Sequence, residues 1–306
     1  MIMKKRPLIL VTNDDGIHSP GLYAAASVAV KSGDVLIAAP HTQQTGMGRS
    51  FPGYPDNGVI EKIETEDMKL PGEITGNKIL AYGIHGTPAL AVAHGILELA
   101  EHTPDLCISG INYGENLGSC LTCSGTLGAL FEASSYGIPG IAVSVEAKLE
   151  KQRSTDFETK DWSAAQYILE KYIRKTLETG ISEGADAWNI NVPDGLKFPY
   201  PERRTVQSRQ SYFYFEKPEK RIYSEPCRLR SKKDVDIQSL ESDSDIYAIY
   251  MDQIASVTLL NFDMSVKEKR LGRFQQVYHQ RKQEISGLTK HISWIKIIDN
   301  SIFLWR

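Results

Sequence analysis

The chain has 306 residues, a formal net charge of −3, 41% hydrophobic and 24% charged residues, and four cysteines. That length can bury a sizeable core without disulfide or metal staples, and the composition is that of a globular chain rather than a disordered one. The slight negative charge gives no global attraction to nucleic acid or to an acidic membrane, and four cysteines are too few for a disulfide scaffold, which points to reduced thiols and a cytoplasmic setting.

No run of about 18 apolar residues occurs, so no membrane span is expected. The N-terminal apolar run of about six is shorter than the roughly 7–15 residues of a signal peptide. In chain order, PLILVT (7–12) is apolar on both faces, as central parallel strands are. GLYAAASVAVKSG reads as an alanine-rich helix stopped by Gly33, and DVLIAAP as the next strand. The segment 46–85 interrupts this rhythm with a Gly/Pro-rich stretch. After it GVIEKIETED and KILAYGIHG alternate like strands of a hairpin. Thr87 and Pro88 are a cap and a first-turn proline for a helix over TPALAVAHGILELAEH. The strand DLCISG, the helix GTLGALFEASSYG and the strand PGIAVSV follow. This alternation predicts a doubly wound α/β sheet over roughly the first 150 residues. An amphipathic helix over 161–179 and the strand AWNINVP come next.

From 200 to 260, QSYFYFEK, DIYAIYMD and ASVTLLN read as short strands of a β-rich excursion. Such an arm either packs on its own chain or exchanges between subunits. Residues 266–306 carry nine Lys and Arg residues against Glu268, Glu284 and Asp299. They are expected to form a basic, partly helical tail separate from a domain at 1–265.

In open parallel sheets ligands bind beyond the carboxyl ends of the strands. Here those ends carry Asn13-Asp14-Asp15-Gly16, then PHTQQTGMG, then INYGENLGSCLTCSGTLG. Two adjacent carboxylates at a buried strand end cost several kcal/mol unless they are protonated, paired with a base or bound to a cation. No Lys or Arg lies in that loop, and hard oxygen donors suit Mg²⁺, Mn²⁺ or Ca²⁺. The alternative is that one Asp caps the following helix while the other faces water. Ser124, Gly125 and Thr126 open a predicted helix, whose free amides and dipole favour an anion; plain helix capping is the alternative there. A dication and an anion cradle on neighbouring strand ends describe a site for a phosphate ester.

Other chemistries lack their motifs. There is no GxxxxGK[ST], no dinucleotide-binding glycine spacing in NDDGIHSPG, and no GxSxG around Ser109. Cys120 and Cys123 form a CxxC without a second pair at zinc-site spacing. His18, His41, His85 and His94 are scattered along the chain, and His94 reads as a packing residue.

LVTNDDGIHSPGL, IAAPHTQQTGMG, HGTPALAV, PDLCISGINYGENLG, SGTLGALFEASSYGIPGIAVS and NINVP stand in the order seen in the SurE family of survival-protein nucleotide phosphatases, which the chain resembles over roughly 7–265. SDIYAIYMDQIASVTLL is similar to that family's late strand segment. The resemblance implies a Rossmann-like three-layer α/β/α sandwich and one divalent ion, Mg²⁺ or Mn²⁺, per subunit. It implies hydrolysis of nucleoside 5′- and 3′-monophosphates, and homodimers or homotetramers that exchange C-terminal elements. Carried over by position, Asp14, Asp15, Thr45 and Asn112 would ligate the metal, Thr45 standing where serine is usual. Asn116, Ser124, Gly125 and Thr126 would line the phosphate site. Ser119, Cys120 and Cys123 depart from the family pattern, which has acidic and aromatic residues there.

The expectation is therefore a metal-dependent 5′-nucleotidase with Asp14 and Asp15 as catalytic residues, Asp14 preferred as base. Two readings compete with it. One is an aspartyl-phosphate phosphatase, which usually needs Asp-x-Asp. The other is a catalytically weak nucleotide- or metal-binding module.

Overall fold

In the computed structural model the described residues are 6–265, apart from 65, 67, 69, 71, 72, 75 and 153; the tail expected at 266–306 lies outside them. The chain lays down β1 (Leu8–Thr12), α1 (Pro20–Ala29), β2 (Asp34–Pro40), β3 (Ile60–Ile63), β4 (Glu73–Ile74), β5 (Asn77–Ile84) and α2 (Pro88–His94). Then come β6 (Leu106–Tyr113), α3 (Gly125–Ser135), β7 (Gly140–Val145), α4 (Ser163–Thr179) and β8 (Ala187–Val192). The last elements are β9 (Glu202–Thr205), β10 (Phe213–Phe215), β11 (Ser231–Lys233), α5 (Asp245–Tyr250) and β12 (Ala255–Leu260).

One sheet runs β3-β5-β2-β1-β6-β7-β8-β12-β9, with β4 beside β5. Its centre, from β5 to β8, is parallel. β3 and β12 run antiparallel to their neighbours β5 and β8. Strand alternation sorts the core into two layers. Ile9 and Val11 of β1 face one way, into a cluster with α1 and α4 residues such as Leu22, Val28, Ile168 and Ile173. Leu8 and Leu10 face the other way, onto Val92 of α2 and Leu127 and Leu130 of α3. This is a three-layer α/β/α sandwich. The sheet order reverses direction between β1 and β6, and at such a switch point the two crossover connections leave on opposite faces and open a crevice.

Three expectations need correction. DIYAIY is helix α5, not a strand. Ser244 caps it by accepting the Tyr247 amide at 3.2 Å, and Ile246 and Ile249, three apart, both bury against Leu117, Tyr212 and Leu240. ASVTLL is not part of an outlying arm: β12 lies inside the main sheet between β8 and β9, leaving only β10–β11 as a separate antiparallel hairpin. The helix expected through His102 changes to a π-turn at Gly95–Leu99 and stops there. A Cβ at Gly95 would lie 2.9 Å from Ala38 Cβ and 3.0 Å from Leu10 Cδ1, so the sheet packs against bare backbone at that point.

Candidate active site

Every expected site residue sits at the carboxyl ends of β1, β2 and β6, or at the start of α3. Asn13 shapes the first loop: its amide donates to the Gly16 carbonyl at 3.0 Å and its Oδ1 accepts the Gly16 amide at 3.2 Å. Gly16 has φ +101°, which a side chain would oppose. Within this turn Asp14 and Asp15 are both buried. Neither caps α1, whose N-cap is Ser19, and neither faces water, so the alternative reading of the pair does not hold.

The two carboxylates reach across the switch point in different directions. Asp15 Oδ2 accepts the Tyr113 amide of β6 at 3.0 Å, and its Oδ1 accepts Gln43 Nε2 at 3.3 Å. Asp14 Oδ1 accepts the Thr126 hydroxyl at 2.7 Å. The α3 N-terminus comes so close that a Cβ at Gly125 would lie 2.7 Å from Asp14 Cβ, a contact only glycine permits. Burial pushes both carboxyls above the usual carboxylate range, and the Asp14 charge pushes Asp15 further; the hydrogen bonds from Thr126, Tyr113 and Gln43 pull back. Among the described residues no Lys or Arg pairs with either acid. The remaining compensation is a proton or a cation, and an all-oxygen donor set fits a hard dication.

The other residues expected as ligands lie next to residues that bond to this pair, Thr45 after Gln44 and Asn112 before Tyr113. The Gln44 amide donates to the Asp14 carbonyl at 2.7 Å, which lays the loop after β2 on the acid pair. Thr45 in that loop is half-buried, its hydroxyl 3.5 Å from the Gln152 carbonyl that also accepts Gln43 Nε2. Asn112 is buried beside Tyr113; its Nδ2 donates to the Gly114 carbonyl at 2.6 Å, so its carbonyl oxygen is the end a cation would take. Asn116 Nδ2 donates to Thr126 Oγ1 at 3.3 Å and to Ser144 Oγ at 3.0 Å, completing a chain from Asp14 through Thr126 to Asn116. Ser124 caps α3 by accepting the Leu127 amide at 3.2 Å, as the capping alternative had it, and its hydroxyl proton remains a donor.

Sequence reading missed the residues that hold Asn116. Its carbonyl accepts Asn189 Nδ2 at 3.0 Å and Asn191 Nδ2 at 3.1 Å, and its amide donates to Asn191 Oδ1 at 2.7 Å. Two asparagines two apart on an otherwise apolar strand were the available signal. Buried Glu115 was missed as well. It pairs with Lys233 of β11 at 2.6 Å and accepts the Ala147 amide, pinning the hairpin beside the site. Ser119, Cys120 and Cys123 lie in a 3₁₀ turn that meets the arm: Ser119 N donates to the Gln210 carbonyl and Cys120 Sγ lies 3.2 Å from Ser211 Oγ. His41 and His85 are not scattered; their rings stack at 4.5 Å.

The family model of the survival protein SurE matches residues 9–213, which include both acids, Thr45, Asn112 and the α3 N-terminus. The chain belongs to the SurE family. A protein of Methanocella arvoryzae named 5′-nucleotidase SurE is 35% identical over 274 residues, covering 85% of this chain and 94% of that protein. Another of that name from Thermococcus gammatolerans is 35% identical over 266 residues, covering 85% of this chain and 91% of that one. The crystal structure of the SurE protein from Aquifex aeolicus superposes with a TM-score of 0.66 at 27% identity, over 89% of this chain and all of that chain. The SurE fold is therefore shared.

Proposed function

We propose that this chain is a metal-dependent phosphomonoester hydrolase that releases phosphate from nucleoside 5′-monophosphates, and from 3′-monophosphates. One observation carries the reading: two adjacent buried carboxylates, without a basic partner among the described residues, abut a helix N-terminus through the 2.7 Å Asp14–Thr126 hydrogen bond. Relatives named 5′-nucleotidase SurE support the substrate class.

Asp14, Asp15, Thr45 and Asn112 would hold Mg²⁺ or Mn²⁺. When bound, that ion supplies charge neutralisation at the phosphoryl oxygens and acidifies a water. Free amides at the start of α3 and the Ser124 hydroxyl orient the equatorial oxygens, while the Thr126 hydroxyl proton is given to Asp14 and the Asn116 side-chain amide to Thr126 and Ser144. Gly125 keeps the helix end close enough for phosphate and acid pair to share one pocket. Asp14 accepts the proton of the attacking water. Thr126 fixes its orientation, and the asparagine bonds to Asn116 keep that donor in place with little reorganisation. Residues 1–265 are proposed to form the catalytic domain and 266–306 a separate tail. The hairpin arm is assigned to homo-oligomer contacts, and a content of four cysteines, too few for a disulfide scaffold, suits a cytoplasmic setting.

The deciding experiment is phosphate release from 5′-AMP and 3′-AMP with Mn²⁺ or Mg²⁺, with and without EDTA. Turnover that EDTA abolishes and that falls at least about a hundredfold in Asp14→Asn is expected, as for loss of a positioned base. Nucleotide binding without phosphate release under every metal would support the weak binding module instead, and wild-type turnover in Asp14→Asn would remove Asp14 from the chemistry.

A further inference from the structure

A second group of ligating side chains lies at the same end of the sheet but outside the acid-pair site. His41 is the first residue after β2, His85 the first after β5, and Glu61 lies on β3. The backbone fixes all three: the His41 amide donates to the Ile84 carbonyl at 2.8 Å, the His85 amide to the Val59 carbonyl at 2.9 Å, and Glu61 stands opposite Gly83 in the β3–β5 ladder. Glu61 sends one oxygen to each histidine, 3.1 Å from His85 Nε2 and 3.4 Å from His41 Nδ1, and the three ligand atoms lie within 4.8 Å of one another.

Two further observations distinguish this cluster from a surface ion pair. His85 Nδ1 lies 2.8 Å from Asp56 Oδ2. A carboxylate that holds one ring nitrogen fixes the tautomer and presents the other nitrogen, the outer-sphere arrangement usual for metal-ligating histidines. His41 Nδ1 is shut off from solvent and makes no hydrogen bond among the described residues, although a Glu61 oxygen lies 3.4 Å away. One ligand atom from each residue lies within 4.8 Å of the others, a spacing that a single dication with metal–ligand arms of about 2.0–2.1 Å can draw together. Beside the cluster is a cavity of about 180 Å³ lined by His41, His85, Thr42, Gln44, Tyr54 and Asn57, with room for a water or an anion in a fourth position.

We propose that His41, Glu61 and His85 form a second cation site, distinct from the acid pair, that takes a zinc-class dication with two imidazoles, one carboxylate and an open fourth position. The donor chemistry separates the two sites: nitrogen-rich and tetrahedral here, all oxygen at Asp14 and Asp15. The loop that starts at His41 continues through Gln44, which donates to the Asp14 carbonyl, to Thr45. An ion at its base therefore ties that loop to β3 and β5.

The test uses the full chain carrying Asp14→Asn and Asp15→Asn, which silences the oxygen site. Equilibrium dialysis against Zn²⁺ with elemental analysis is expected to give one bound ion per chain. Co²⁺ is expected to give the intense visible absorption of a tetrahedral complex. Glu61→Gln and His85→Gln on this background should each weaken binding at least tenfold and remove that absorption, with thermal unfolding confirming that the variants fold. In the otherwise native chain, Glu61→Gln should lower the zinc count from two to one. Absence of zinc from the silenced chain, or unchanged binding in both cluster variants, overturns the site and leaves an ion-paired histidine clamp.

Discussion

At the scale of single residues, the acid pair makes stability depend on pH and on metal. Asp14 and Asp15 have folded-state pKa values raised by burial, so the native chain holds protons that the unfolded chain releases. Where the native state binds more protons, stability falls as pH rises. Metal-free protein is therefore expected to lose stability upward from the ordinary carboxylate range near about pH 4, through neutrality. A saturating dication removes the penalty by stabilising the charged forms, and Asp14→Asn removes part of it permanently. Thermal unfolding in EDTA and in Mn²⁺ across pH 5–8 checks this; a midpoint that rises with pH in EDTA would contradict it. The acids were legible in the sequence because NDD breaks off a doubly apolar strand. The His41–Glu61–His85 grouping was not, since its members come from β3 and from the ends just past β2 and β5, strands whose order the local pattern does not encode.

At the scale of elements, the hairpin β10–β11 is held to the body by a charge pair. Burial pushes the Glu115 carboxyl up, and Lys233, which also lies over the Tyr212 ring, pulls against it. Removing one member of a buried pair typically costs about 3–5 kcal/mol, because the other charge stays buried and unpaired. Lys233 is only partly buried, so the lower end applies: Lys233→Met should cost about 3 kcal/mol. Adding Glu115→Gln should restore most of it. Denaturant unfolding of the single and double variants measures this, and equal losses in both would contradict it. Strand and helix order up to β8 was readable because the central strands are short, mainly apolar runs set apart by turn residues and helix caps. DIYAIY misled because a six-residue apolar stretch fits either period. Its helical state is set by the Ser244 cap and by Asp245, which accepts the Gly118 and Ser208 amides, both far away in sequence. The π-turn after α2 escaped for a similar reason, since it reflects how closely β1 and β2 press on Gly95.

At the scale of the whole molecule, the arm exposes Phe215, Ile222 and Tyr223, the last 91% accessible in the single chain. Large apolar side chains this open suit burial against another copy. Light scattering is expected to give a species at least twice the 34.2 kDa chain. Replacing Ile222 and Tyr223 by Asp should shift it toward the monomer, and a monomeric native chain would contradict the assignment. The site itself is assembled within one chain, from β1, β2, β6 and α3, so its central claim can be tested without the assembly. That claim is that the Asp14 and Asp15 carboxylates share one divalent cation. The direct measurement is an anomalous difference map from crystals grown in Mn²⁺. A peak at about 2.0–2.2 Å from oxygens of both acids, the range for a small hard dication, is the predicted result. A clear map with no peak there, and both carboxylates engaged only by protein donors, would contradict the account.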